Sequence, residues 1–270
     1  MLPLTFEACA YTFTGDMNKP IYRYLADKKW REYARLIIEQ RINQMSIVPD
    51  VLPHFEPTAD VRVAFGTRNV PPGAFVDSRI SEIPARLRVQ VFDRGERLVS
   101  VVVIDSDVPI VEKDRFTSRC HFLATNIPLS PANESLPLSQ MTEEQLVHKW
   151  LPPFAQQGSP YHRYSVFVLQ QKPGQNLDPV ELKEKVKRDG FSLRSFVSKY
   201  GVKPIGIGIF RSLWDEGTAG VMHRAGIEGA DIVFKRKRIE ALKPKQKARG
   251  WEARHSGGKF LSLGKYVAFR

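Results

Sequence analysis

Hydrophobic and polar positions alternate along Val61-Arg62-Val63-Ala64-Phe65 and again along Leu87-Arg88-Val89-Gln90-Val91-Phe92, which predicts two half-buried strands. A third run, Arg97 to Asp105, is apolar at successive positions through Val101-Val102-Val103-Ile104. That pattern predicts a strand buried on both faces, near the middle of a sheet. Between the second and third runs, Asp93-Arg94-Gly95-Glu96 has the composition of a hairpin turn. His121 to Ile127, Tyr164 to Gln170 and Ile205 to Phe210 are three further strand candidates. Gly206 and Gly208 weaken the last of these or mark a close backbone approach.

Helical periodicity is rarer. Trp30, Tyr33, Ala34, Ile37, Ile38, Ile42 and Met45 recur at steps of three and four. They predict an amphipathic helix from Lys28 to Ile47, with Asp27 as N-cap and Pro49 and Pro53 beyond its end. Thr142-Glu143-Glu144-Gln145 reads as a capping box opening a short helix towards Lys149. Asp178 to Asp189 and Ser192 to Tyr200 read as two more helices separated by Gly190. Many strands, few helices and long Pro-rich connections predict a mainly β fold. The chain divides into an N-terminal extension (1–47), a β domain (48–220) and a basic C-terminal extension (221–270).

Composition sharpens this picture. A hydrophobic fraction of 42% in 270 residues supports a buried core. No apolar run approaches the roughly 18–20 residues of a membrane-spanning helix. Two cysteines, Cys9 and Cys120, are fewer than the disulfide framework of a secreted domain uses, which favours a reducing interior, and zinc-type spacing is absent. Met1 to Phe13 carries Glu7 and no basic residue, unlike a secretory signal or an Arg-rich transit peptide, so no presequence is visible. The net charge is +12, and residues 221–270 hold 13 Lys/Arg against 4 Asp/Glu. A nearly neutral body with a basic arm points to a polyanionic partner.

Candidate chemistry gathers at strand ends. Asp105 and Asp107 follow the buried strand two residues apart, a spacing that puts both on one face of an extended chain. Taken alone, the pair reads first as turn-capping aspartates. His121 and His162 each open a strand, and either alone reads as a hydrogen-bonded core histidine. Together these stretches could supply two carboxylates and two imidazoles to one pocket. Cys120 and His121 are adjacent and face opposite sides of a strand, so they form no dyad. Ser106 lacks a GxSxG context. Nothing in the spacing requires a metal or a cofactor, and no residue is assigned a catalytic role.

The order Asp105-Ser106-Asp107-Val108-Pro109, then His121-Phe122-Leu123 with Asn126-Ile127, then Pro152-Pro153 and a Gly-containing loop into His162-Arg163-Tyr164, resembles the phosphatidylethanolamine-binding protein family. Phe55-Glu56-Pro57, Val70-Pro71-Pro72-Gly73 and the Phe191 to Trp214 region extend the resemblance over about residues 48–216. It implies a β-sandwich with a few peripheral helices and a small pocket for phosphate-like groups. The matching pocket positions are Asp105, Asp107, Pro109, His121, Pro153, His162 and Tyr164. Imidazole N–H groups and the Tyr hydroxyl would donate to phosphate oxygens, with carboxylates orienting the imidazoles. Ser106 and Cys120 depart from the family pattern, and the Pro153 to His162 loop is longer than usual.

The preceding helix, the Leu151-Pro152-Pro153-Phe154 run, the Gly158-Ser159-Pro160-Tyr161-His162-Arg163 loop and the basic extension resemble the family's members in the mitochondrial large ribosomal subunit. That resemblance implies a structural ribosomal protein, mitochondrial in location. Its partners would be large-subunit RNA and neighbouring ribosomal proteins at the central protuberance. The alternative is a free protein of the same family that binds a phosphate or phospholipid head group or acts as an inhibitor. In the extension, Lys235, Arg236, Lys237, Arg238, Lys243, Lys245, Lys247, Arg249, Arg254, Lys259 and Lys265 are candidate phosphate contacts, with Trp251 as a stacking ring. Its poverty in apolar residues predicts ordering only on binding.

Overall fold

The computed structural model describes residues 15–110, 113 and 115–234. The basic positions from Lys235 onward therefore lie outside the described residues. The strands are β1 (Asp60–Phe65), β2 (Arg68–Val70), β3 (Ala74–Phe75), β4 (Arg86–Gln90), β5 (Arg97–Ile110), β6 (Arg115–Leu129), β7 (Ser135–Pro137), β8 (Leu146–His148), β9 (His162–Gln170) and β10 (Lys203–Ser212). The helices are α1 (Pro20–Lys29), α2 (Arg35–Gln44), α3 (Ile47–Asp50), α4 (Ser78–Ser81), α5 (Pro179–Lys185), α6 (Leu193–Tyr200) and α7 (Thr218–Arg224). Among the described residues no helix is long and apolar enough to cross a membrane.

Two sheets face each other, one in the order β2-β1-β4-β7 and the other β3-β10-β9-β5-β6-β8. Each strand's period-two alternation decides what it buries. On β5, Val99, Val101 and Val103 enter the core between the sheets, against Val61 and Val63 of β1 and Leu87 and Val89 of β4. Val102 and Ile104 enter a second core on the outer face, where Ile38 and Ile42 of α2, Leu182 of α5 and Phe196 of α6 cover the sheet. The doubly apolar run is thus an interior strand clad on both sides.

The two glycines of β10 are sites of close approach. A Cβ on Gly206 would stand 2.4 Å from Cγ2 of Val61, and one on Gly208 2.4 Å from Cγ2 of Val63. Sheet-to-sheet spacing at this point depends on their missing side chains. Gly208→Leu should therefore lower unfolding free energy by about 1–3 kcal/mol through overpacking, read from the urea midpoint. An unchanged midpoint would contradict this packing.

Three sequence expectations are corrected here. Asp93 to Glu96 does not close a hairpin, because β4 pairs with β1 and β7 while β5 pairs with β6 and β9. The segment is a corner that carries the chain from one sheet to the other, and turn composition is common to both roles. The capping box at Thr142 forms a turn, with the Gln145 side chain accepting from Thr142 N at 3.3 Å, but the chain then enters β8. Edge pairing of β8 with β6 overrides the local helical signal.

The N-terminal helix begins at Pro20, so Asp27 is interior and pairs with Arg31 at 2.8 Å instead of capping. Between α1 and α2, Trp30–Ala34 forms a π-helical turn in which Arg35 N–H bonds Trp30 O. The extra residue rotates the helix face. Trp30 stays buried, 5.1 Å from the Phe92 ring, while Tyr33 turns to solvent at 67% exposure. Of the two shorter helices, α5 ends at Lys185, and its N-cap Asp178 accepts from Val180 N. Ser192 caps α6 by accepting from Ser195 N.

Candidate functional site

β5, β6 and β9 lie side by side, and their polar residues meet where the strands leave the core. Two register slips aim the side chains. Val103 pairs with Phe122 and Ile104 with Cys120, so His121 is the extra residue of a bulge. A second slip falls between Asp105 and Val108 and breaks the alternation between Asp105 and Asp107.

Asp105, His121, His162 and Tyr164 come together. Asp105 Oδ2 accepts from His162 Nδ1 at 2.7 Å and stands 3.9 Å from His121 Nε2. His121 Nδ1 sits 3.0 Å from Leu151 O, an acceptor, which assigns the ring proton to Nδ1 and leaves Nε2 bare. The His121 ring meets Tyr164 edge-on at 5.0 Å, and the His162 and Tyr164 rings lie roughly parallel at 6.5 Å. Burial pushes the His121 pKa down to about 4, against a smaller opposing pull from Asp105. The imidazole is therefore neutral at pH 7.

The cluster is shut. Asp105, His121, His162 and Tyr164 are each at most 2% exposed. The Tyr164 hydroxyl donates to Phe154 O at 2.7 Å and accepts from Phe154 N at 3.0 Å. Its single O–H is thus engaged by the loop after Pro153. Burial holds its pKa well above the ordinary value. Pro153 is buried and delivers Phe154 to this contact, and the Phe154 ring lies 6.0 Å from His121, with the Arg119 guanidinium 5.8 Å from the centre of the Phe154 ring. Nε2 of both His121 and His162 is buried without a hydrogen-bond partner.

Asp107 does not join the cluster. It is clamped by Arg163, which donates from Nε at 2.8 Å, from Nη2 at 2.7 Å and from its backbone N at 2.8 Å. Nη1 of Arg163 reaches Asp50 Oδ2 at 3.0 Å and Met45 O at 2.5 Å. The clamp ties β5 and β9 to the end of the N-terminal helix. A shallow cavity of about 190 Å3 opens beside it, lined by Gln44, Met45, Ser46, Asp107, Tyr161 and Arg163. No other pocket position lines this cavity. Pro109 lies farther along β5, opposite Phe116.

Sequence reasoning named His162 and Tyr164 but missed Arg163 between them. The only signal was an Arg placed where alternation puts it opposite its two neighbours, towards the first extension. Cys120 packs into the outer core, away from the His121 ring, and burial raises its thiol pKa to about 12. Among the described residues no group of three or more His, Cys, Asp or Glu side chains is arranged to hold a metal.

Comparison with known proteins gives the same architecture. The family described as phosphatidylethanolamine-binding protein matches residues 56–203. A curated relative, large ribosomal subunit protein mL38 of Schizosaccharomyces pombe, is 29% identical over 213 residues, covering 77% of this chain and 67% of that protein. The 213-residue match is longer than the family match and so takes in flanking sequence. Among solved structures, a carboxypeptidase Y inhibitor complexed with its cognate proteinase superposes with a TM-score of 0.51 at 14% identity, covering 68% of this chain and 97% of that one. The phosphatidylethanolamine-binding protein from Plasmodium vivax gives a TM-score of 0.51 at 16% identity, covering 66% and 97%. At these identities the two structures speak for the shared fold.

Proposed function

This chain belongs to the phosphatidylethanolamine-binding protein family, and from that membership we propose that it is a structural protein of the mitochondrial large ribosomal subunit, without a catalytic role. The match to the large-subunit protein mL38, which is longer than the match to the family domain, carries the reading. In this role the body is held against ribosomal RNA and neighbouring proteins, at the central protuberance, and the chain resides in mitochondria. The basic positions from Lys235 to Lys265 supply phosphate contacts.

Two features of the described residues and one of the full sequence support the assignment. The Asp105, His121, His162 and Tyr164 positions of the family pocket are buried, which suits a fold used as a shaped solid. The N-terminal helix exposes Ile21, Tyr24, Leu25, Tyr33 and Leu36, each at least 42% exposed, which suits a protein neighbour. The charge balance of +12 suits RNA.

A second reading, a free phosphate-ester-binding protein, draws on one observation: the Asp105–His162 pair with two unpartnered imidazole nitrogens. One experiment separates the two. Tagged chain in a mitochondrial lysate, sedimented at low and moderate salt, should travel with the large subunit. Millimolar phosphorylethanolamine should leave the melting temperature of the purified chain unchanged, because the four side chains of the cluster are buried. Migration as a free monomer at every salt, together with a melting temperature that climbs with ligand concentration, would replace the first reading by the second.

A further inference from the structure

We propose that Phe75, Tyr161 and Arg211, at the β3 edge of the six-stranded sheet, form a stacking site for an unpaired base of an RNA strand, with Arg68 and Arg211 meeting its phosphates. The inference deepens the ribosomal reading and rests on it, since it places an RNA contact on the folded body.

Two large rings stand in solvent here, Phe75 at 51% and Tyr161 at 42% exposure. They are held at 5.9 Å and nearly perpendicular, 88° apart. Their backbone is not a loose loop on the Phe75 side: Phe75 pairs in register with Arg211 of β10, and Val76 N donates to Arg211 O at 2.9 Å. The Arg211 side chain is fixed as well. Its Nε donates to Gly73 O at 2.7 Å, which sets the guanidinium 4.0 Å over the Phe75 ring and 5.2 Å from that of Tyr161. Arg211 has no carboxylate partner among the described residues, and neither has Arg68. Arg68 and Asn69 line one shallow groove with Phe75.

A pair of exposed rings, one anchored on a strand, with an uncompensated guanidinium beside both is a platform on which a base can stack. A peptide without acidic side chains laid over it would leave two guanidinium groups facing its backbone without counter-charge. An RNA strand supplies phosphates for both and a flat face for the rings. Duplex RNA offers no free base face, so the site selects single-stranded or bulged segments.

The test compares full-length wild type with the double variant Phe75→Ala/Tyr161→Ala. Both positions are exposed, and an unchanged melting temperature will show that the fold survives. Fluorescence anisotropy with a short mixed-sequence single-stranded RNA should show binding weaker by about ten-fold or more, with the slope of log affinity against log salt unchanged. Binding to a matched duplex should not change. Arg68→Gln should instead lower the salt slope by roughly one. Equal affinity of variant and wild type for the single strand overturns the site, while wild-type sedimentation with the large subunit leaves the ribosomal reading standing. A variant that keeps full RNA affinity but leaves the particle also overturns it, and marks the patch as a protein contact.

Discussion

Replacing Arg163 by Met will destabilise the chain by about 3 kcal/mol and loosen the N-terminal helix from the sheets. The hydrocarbon stem is retained, so the loss reports the guanidinium. Asp107 keeps one donor, the backbone N–H of residue 163, and loses the two side-chain donors. Asp50 and Met45 O lose their bonds to Nη1 at the same time. The flanking carboxylates hold the Arg163 pKa above its ordinary value, so the group is charged at any accessible pH. Arg163→Lys should recover only part of the loss, since a point cation cannot bond four acceptor atoms arranged around a planar fork. Urea unfolding gives the free energy, and amide exchange in α2 shows whether the helix end opens before the sheets. A loss below about 1 kcal/mol, with α2 protection unchanged, would mean that apolar packing through Ile38 and Ile42 alone holds the helix.

A pH dependence of comparable size is expected from His121. Its pKa falls from 6.5 to about 4 in the folded chain. Between those values the unfolded chain binds a proton that the folded chain refuses, so stability is full above pH 6.5 and declines as pH drops towards 4. The difference corresponds to about 3 kcal/mol over the whole interval. Burial is the main cause; Asp105 opposes it, while Arg119 and Arg188 reinforce it. His121→Asn can keep the bond to Leu151 O but cannot titrate. The stability gap between wild type and this variant should therefore narrow by about 2–3 kcal/mol from pH 7 to pH 4.5. A gap of constant size across that range would place the titrating group elsewhere.

Sequence pattern and structure agree where burial follows directly from periodicity. Alternation located β1 and β4, and the doubly apolar run of β5 foretold a strand with a core on each side. Gly206 and Gly208 marked the point where the sheets approach. The same reasoning failed where one residue was added to a regular repeat. The π-helical turn at Trp30–Ala34 shifts the helix face, and no side chain announces it. Bulges at His121 and beyond Asp105 likewise decide which way these residues point. The residue types of the pocket were legible through their order along the chain. Its closure was not, because it depends on the backbone of Phe154, ten positions before Tyr164, while Asp107 is taken by an arginine that also reaches Met45 O at the end of α2.

The order in which the strands are stitched has a kinetic meaning. Thr58 and Ile205, 147 residues apart, are joined by a hydrogen bond, as are Gly73 and Arg211, 138 residues apart. β10 is thus the strand that closes the edge of β9, receives β3 and fills the face of β1. Loop-closure entropy for these pairings falls due before their contacts form, so folding is governed by the latest segment to arrive. During synthesis, Val61 and Val63 emerge long before the two glycines that fit them. The growing chain must carry an open sheet edge until β10 has been made, and that interval is when it is most exposed to mispairing.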